Sequence, residues 1–63
     1  MDTTRPIIVA STREGMLRVQ IGQVVYEYWL DSALHSWVKR QFVKRPWETL
    51  NFIKSRCWSW KKL

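Results

Sequence analysis

Apolar and polar residues alternate along two stretches, residues 16–22 and 24–30, which meet at a glycine and a glutamine. In the first stretch Leu17, Val19 and Ile21 occupy the same side of the alternation. Because successive side chains of a β-strand point to opposite faces, this period of two predicts strands. Glycine suits the first central position of a two-residue type II′ turn, where φ is positive. The pattern therefore predicts a β-hairpin.

A third strand is predicted over residues 7–12, where β-branched side chains predominate after Pro6. Residues 13–15 form a short connection to the hairpin, and short connections favour antiparallel neighbours. An isolated hairpin is only marginally stable, so the third strand is expected to complete a meander.

The apolar spacing becomes helical after Asp31 and Ser32, whose side chains can cap a first turn. A helix is predicted over residues 32–45. Pro46 interrupts the pattern, because proline disfavours helical geometry at the residue before it, and suits the start of a second helix over residues 46–61. The apolar stripes are Leu34, Trp37, Val38 and Phe42 in the first helix and Leu50, Ile53, Cys57 and Trp60 in the second.

These elements predict one small α+β domain over residues 1–63. A three-stranded antiparallel β-meander is followed by one kinked helix or two consecutive helices, packed on one sheet face. A chain of this length buries a small fraction of its surface, so large aromatic side chains, a homo-oligomer, or both are expected to add stability. The predicted core consists of Leu17, Val19, Ile21, Tyr26, Tyr28, Leu34, Trp37, Val38, Leu50 and Ile53.

The sequence contains no recognisable motif for catalysis or metal binding. Cys57 and His35 are the only residues of their types, which excludes an intrachain disulfide and the usual four-ligand zinc site. Neither glycine lies in a phosphate-binding loop, and no serine lies in a nucleophile motif. We therefore expect a non-enzymatic protein with no catalytic residue, metal or cofactor. No secretory signal or membrane-spanning run is visible, so we expect a cytoplasmic location, in a bacterial cell or a phage-infected host.

Charge is distributed unequally between the two halves of the chain, whose net charge is +6. Residues 1–31 carry three basic and four acidic side chains, a net charge of −1. Residues 32–63 carry eight lysines and arginines against one glutamate, a net charge of +7. Such asymmetry favours a surface for polyanions.

Tryptophan and lysine are interleaved in the predicted second helix, where Trp47, Lys54, Trp58 and Lys61 form one stripe. Cations neutralise phosphates, and indoles stack on unpaired bases. We therefore predict a non-enzymatic module that binds RNA or single-stranded DNA. The predicted nucleic-acid-binding residues are Lys39, Arg40, Lys44, Arg45, Trp47, Lys54, Arg56, Trp58, Lys61 and Lys62.

Three other interpretations of the same residues stay open. Tryptophans in a small protein are often packing residues, and a basic stripe is often only a solvated helix face. Tryptophan and arginine also dominate protein interfaces, so a phage or bacterial accessory or inhibitor protein that binds an acidic protein surface is the main alternative. Aromatic residues interleaved with lysine also occur in helices that lie on membrane surfaces.

The hairpin resembles the centre of the KTSC domain, through residues 17–21, Gly22 and the Val25-Tyr26-Glu27-Tyr28 stretch. Residues 50–54 resemble the closing segment of that domain. The family includes C-terminal domains of some lysyl-tRNA synthetases and stand-alone bacterial and phage proteins. The resemblance implies a β-meander with a helix, a role related to nucleic acid or tRNA, and no catalytic residue.

Overall fold

The computed structural model describes residues 5–63, and the part of the predicted domain at residues 1–4 lies outside the described residues. It has an α+β fold with a four-stranded antiparallel sheet and two helices. The strands follow one another across the sheet in chain order, so the predicted meander is present and is extended by a fourth strand. The strands are β1 (Ile7–Ser11), β2 (Met16–Ile21), β3 (Val24–Trp29) and β4 (Ser59–Lys62), and the helices are α1 (His35–Lys44) and α2 (Pro46–Arg56).

The β2–β3 hairpin is in the register that the alternation predicts, with Val19 opposite Tyr26 and Ile21 opposite Val24. Gly22 has a φ of 63°, while Gln23 does not have a positive φ. A type I′ turn needs positive φ at both central residues, so this combination matches the predicted type II′ turn.

Both helices cover the same face of the sheet and complete one apolar core. The buried core residues are Leu17, Val19, Tyr28 and Leu30 from the sheet region, and Val38, Phe42, Leu50 and Ile53 from the helices. Ile21, Tyr26 and Leu34 are partly buried against this core. The core prediction is wrong for Trp37, which is 40% exposed and packs its ring 5.0 Å from that of Phe52. Leu30 and Phe42 are core residues that the prediction omitted.

The helical region is divided into two helices at Pro46. Arg45 adopts φ −138° and ψ 74°, outside the helical region, as expected for a residue that precedes proline. The first helix begins later than residue 32, because a single 3₁₀ turn at residues 32–34 precedes it. Asp31 caps that turn, since its Oδ1 accepts a hydrogen bond of 3.0 Å from the Ala33 N–H.

The predicted end of the second helix at residue 61 is wrong. The helix ends at Arg56, and Cys57 has an extended backbone with φ −67° and ψ 143°. The chain then pairs with β3, whose second edge offers unpaired backbone groups to any neighbouring extended segment. The Trp58 N–H donates to the Trp29 carbonyl at 2.9 Å, and the Leu63 N–H donates to the Val25 carbonyl at 2.8 Å. Trp60 therefore lies on a strand and is 61% exposed, not on a buried helix face.

Gly15 is required where the β1–β2 connection crosses the end of β3. It has a φ of 111°, and a Cβ placed on it would overlap the Leu30 carbonyl oxygen. The Leu30 N–H also donates to the Gly15 carbonyl at 3.0 Å, which fixes the two backbones against each other. Gly22 also has a positive φ, but no atom lies within 4 Å of a Cβ placed there.

We expect Gly15→Ala to reduce the free energy of unfolding by about 3 kcal/mol or more, because backbone strain and steric overlap add together. Gly22→Ala is the matched control, with an expected loss of about 1–2 kcal/mol from its positive φ alone. Urea unfolding of both variants checks this order. Equal losses would show that the contact between Gly15 and Leu30 does not constrain the fold.

Candidate functional site

The strand β4 separates the predicted Trp47, Lys54, Trp58 and Lys61 stripe into two parts. Trp47 and Lys54 remain on α2, which packs on the covered face of the sheet. Lys61 is opposite Glu27 in the β3–β4 register, on the face that the helices leave uncovered. We call this second face the outer face. The stripe is thus wrong as one helical surface, because its members lie on opposite sides of the sheet.

All ten predicted nucleic-acid-binding side chains are nevertheless exposed. Trp47 is 44% exposed and Trp58 is 71% exposed, so neither indole is sealed in the core. They are distributed over four parts of the chain: Lys39, Arg40 and Lys44 on α1, Arg45 between the helices, Trp47, Lys54 and Arg56 on α2, and Trp58, Lys61 and Lys62 at β4.

Two of the predicted cations are paired with carboxylates. Arg45 Nη1 lies 3.4 Å from Glu48 Oε2, and Lys61 Nζ lies 3.6 Å from Glu27 Oε2. The other six form no ion pair with an acidic side chain in the described range, residues 5–63. One of these six, Arg56, instead places its guanidinium carbon 5.2 Å from the centre of the Phe52 ring.

Glu27 is at the centre of the outer face, although sequence reasoning gave it no role. Its side chain is only 8% exposed, and its Oε1 lies 3.1 Å from Arg18 Nε. Its Oε2 accepts a hydrogen bond of 3.0 Å from the Trp29 indole N–H. This indole hydrogen bond, followed by Arg18 and Lys61, lowers the pKa of Glu27 below its ordinary value of 4.5, against the opposing effect of burial.

The Glu27 carboxylate also orients the aromatic residues of this face. Its bond to Trp29 fixes that indole, and the Trp58 ring packs 5.9 Å from it at an angle of 43°. Trp58 is nevertheless 71% exposed. The outer face thus offers one exposed indole beside a cluster of one carboxylate and two cations.

A second aromatic surface lies on the covered face, where the β3–β4 edge extends past α2. Trp60 is opposite Tyr28 and Lys62 is opposite Tyr26, so these four side chains are on the same side of the sheet. Tyr26, Tyr28 and Trp60 line a groove of about 360 Å³ together with Lys54 of α2. We call it the aromatic groove, and its lining residues are Ile21, Tyr26, Tyr28, Lys54, Cys57 and Trp60.

Sequence reasoning missed the aromatic groove because it placed Tyr26 and Tyr28 in the core and Trp60 on the apolar stripe of a second helix. The available signal was the spacing of Trp60 and Lys62, which alternate with Ser59 and Lys61 at a strand period of two. The helical spacing from Leu50 to Trp60 concealed that alternation.

A second groove, of about 620 Å³ and larger than the aromatic groove, lies at the opposite edge of the sheet, between β1 and α1. Lys39 lines it together with Phe42, Val43 and residues 5–11. Because β1 and β4 are the two edge strands, Lys39 cannot belong to a surface centred on β4.

His35 Nε2 lies 3.3 Å from Ser11 Oγ, a contact that joins the start of α1 to the end of β1. Sequence reasoning found no such partner for His35. Within residues 5–63 no carboxylate is hydrogen-bonded to the imidazole, so the pair lacks the third group that orients the base in a catalytic triad.

No family model, curated protein or solved structure matches this chain. The resemblance to the KTSC domain therefore stays a prediction. In the part of the chain that the structure describes, no helix is both long and apolar enough to span a bilayer.

The lowered pKa of Glu27 predicts acid-sensitive stability. Because this pKa is lower in the folded than in the unfolded state, the carboxylate stabilises the fold above about pH 4.5, and this contribution is lost as the pH falls through the folded-state pKa. We expect the free energy of unfolding of Glu27→Gln to decrease less steeply below about pH 4.5 than that of the wild type.

Urea unfolding at a series of pH values measures both slopes. Glu48→Gln is the matched control, because Glu48 makes an ion pair but its side chain is 74% exposed. Its slope should stay close to that of the wild type. Identical slopes for Glu27→Gln and the wild type would contradict the role given to the outer-face carboxylate.

Proposed function

We propose that this protein binds single-stranded nucleic acid, either RNA or single-stranded DNA, at the sheet edge formed by β4. The observation that carries the proposal is the exposure of two indoles at this edge, 71% for Trp58 and 61% for Trp60. Lys61 and Lys62 directly follow them along the chain. The proposed role is binding without catalysis, and it needs no metal or cofactor.

Exposure of two indoles is unfavourable unless a ligand covers them. A fully buried large apolar side chain stabilises a fold by about 1.5–3 kcal/mol relative to an exposed one. The core of this small protein leaves Trp58 and Trp60 mostly in solvent instead. Exposed apolar groups that cluster on a polar surface are typical of binding sites.

Unpaired bases are the ligand that fits this combination of aromatic and cationic groups. Every base has a π-face that can stack on an indole, and the phosphates that connect the bases attract lysine and arginine. In a duplex the base faces are already stacked on one another, so exposed indoles favour single strands. The sheet edge is also extended, as the backbone of a bound single strand is.

The unpaired cations near this edge complement the aromatic groups. Lys54 lines the aromatic groove beside Trp60, and Lys62 is opposite Tyr26 on the same face. Neither forms an ion pair with an acidic side chain between residues 5 and 63. Lys61 shares Glu27 with Arg18, so that cluster still has one excess positive charge.

We expect a fluorescently labelled oligouridine or oligothymidine of about 16 nucleotides to bind, with affinity that decreases as salt increases. If three cations contact phosphates, the slope of log affinity against log salt should be about −2. Trp58→Ala should weaken binding by about fivefold or more, because stacking contributes about 1–3 kcal/mol per base. Fluorescence anisotropy at several salt concentrations measures both effects.

Val43→Ala is the matched control, because Val43 is 76% exposed but lies on α1 beside the opposite edge of the sheet. Its affinity should equal that of the wild type. An absence of binding at low salt, or binding that salt does not weaken, would overturn the proposal. Sedimentation with anionic vesicles in place of oligonucleotide binding would favour the membrane interpretation, and a nuclease-resistant stoichiometric complex with an acidic protein would favour the accessory-protein alternative.

A further inference from the structure

The geometry points to the aromatic groove as a pocket for one unpaired base of the bound strand. This inference rests on the proposed function and deepens it, because it names the site that one base of the bound strand would occupy. The pocket is distinct from the exposed Trp58 surface, which lies on the outer face of the sheet.

The walls of the groove are suited to stacking. Tyr26 and Tyr28 lie on the same face of β3 with ring centroids 6.3 Å apart and ring planes 27° from parallel. Trp60 is directly opposite Tyr28 on β4 and leaves 61% of its surface exposed. Tyr28 is only 3% exposed, so the rings that a planar base can reach here are the partly buried Tyr26 of β3 and the exposed Trp60 of β4.

The charge of the groove selects an anionic ligand. Its lining includes Lys54 and no acidic side chain, and Lys62 is opposite Tyr26, one of the lining residues, in the β3–β4 register. A neutral aromatic ligand would use the rings but not the lysines. A nucleotide uses both, since its base stacks while its phosphate contacts a cation.

The tyrosine hydroxyls provide polar groups inside an otherwise apolar lining. Neither hydroxyl is hydrogen-bonded to another side chain or to the backbone in the range from residue 5 to residue 63. Burial, with smaller effects of Tyr26 and Cys57, raises the pKa of Tyr28, so its hydroxyl keeps the proton at neutral pH. Tyr28 is only 3% exposed, so the hydroxyl that can donate to or accept from the edge of a base is that of the partly buried Tyr26.

The size of the groove limits the ligand to a small group. Its volume of about 360 Å³ is near the lower end of the range of about 300–1,000 Å³ that is typical of small-molecule sites. One nucleoside fits this space, while the rest of the strand must continue along the exposed edge. We therefore assign one base to the groove.

Photocrosslinking locates the base directly. An oligouridine of about 16 nucleotides that contains 5-iodouridine is irradiated in complex with the full chain, and the crosslinked residue is identified by mass spectrometry. Crosslinks on Trp60 or Tyr26 are the expected result. Crosslinks confined to Trp58 and Trp29 would overturn the groove assignment while leaving the proposed function intact, and the absence of any complex would overturn both.

Substitutions in the groove give an independent measurement. Tyr26→Leu removes the ring but keeps an apolar side chain against the core, and it should weaken oligouridine binding about fivefold or more. Tyr26→Phe keeps the ring and should retain affinity within about twofold if stacking dominates. Thermal unfolding of both variants shows whether each is folded at the temperature of the binding assay.

Lys54→Gln tests the groove without disturbing the core, because Lys54 is exposed. It should reduce the salt slope by about 0.7, the value for one phosphate contact on a single strand. Arg5→Gln is its matched control, because Arg5 is exposed at the opposite edge of the sheet and is not one of the predicted nucleic-acid-binding residues, and it should leave the slope unchanged. Wild-type binding by both Tyr26→Leu and Lys54→Gln, with Trp58→Ala still weakened, would overturn the groove assignment alone.

Discussion

The backbone pairing between β3 and β4 determines where the aromatic and basic groups of the C-terminal half lie. Without it the second edge of β3 would present unpaired N–H and C=O groups along a hydrophobic sheet. The chain satisfies these groups with its own last residues, from the Trp58 N–H to the Leu63 N–H. This pairing determines on which face of the sheet each side chain after Cys57 lies. Both candidate surfaces, the outer face beside Trp58 and the aromatic groove beside Trp60, result from it.

Glu27 gives the two faces different chemistry. On the outer face its carboxylate is within 3.6 Å of two cations and accepts the Trp29 indole N–H, so much of the local charge and polarity is already satisfied within the protein. On the covered face Lys54 and Lys62 have no such carboxylate among the residues that the structure describes. An anionic ligand therefore competes less with carboxylates of the protein for lysine side chains in the aromatic groove than it does on the outer face beside Glu27.

Patterns with a local physical cause were predictable from the sequence. The hairpin follows from a period of two and a glycine that can adopt positive φ, and the division between α1 and α2 follows from the steric effect of Pro46 on Arg45. The strand β4 was not predictable in this way, because residues 50–60 also match a helical period. The open edge of β3, which is a feature of the tertiary structure, decides between the two conformations. Because the second helix was predicted to continue to residue 61, Trp58, Trp60 and Lys61 were all assigned to a helix. The predicted geometry of the site was therefore wrong as well.

The register of β1 against β2 shifts between Ile8 and Ala10, so that Val9 interrupts the ladder on the remaining free edge of the sheet. An irregular edge is a poor template for another strand, because its hydrogen-bonding groups no longer repeat at regular intervals. The opposite edge carries Lys61 and Lys62, whose charges repel a second copy. The sheet thus ends at four strands on both sides, and neither edge offers a regular, uncharged template to a strand of another copy, even though Ile7 and Val9 are about half exposed.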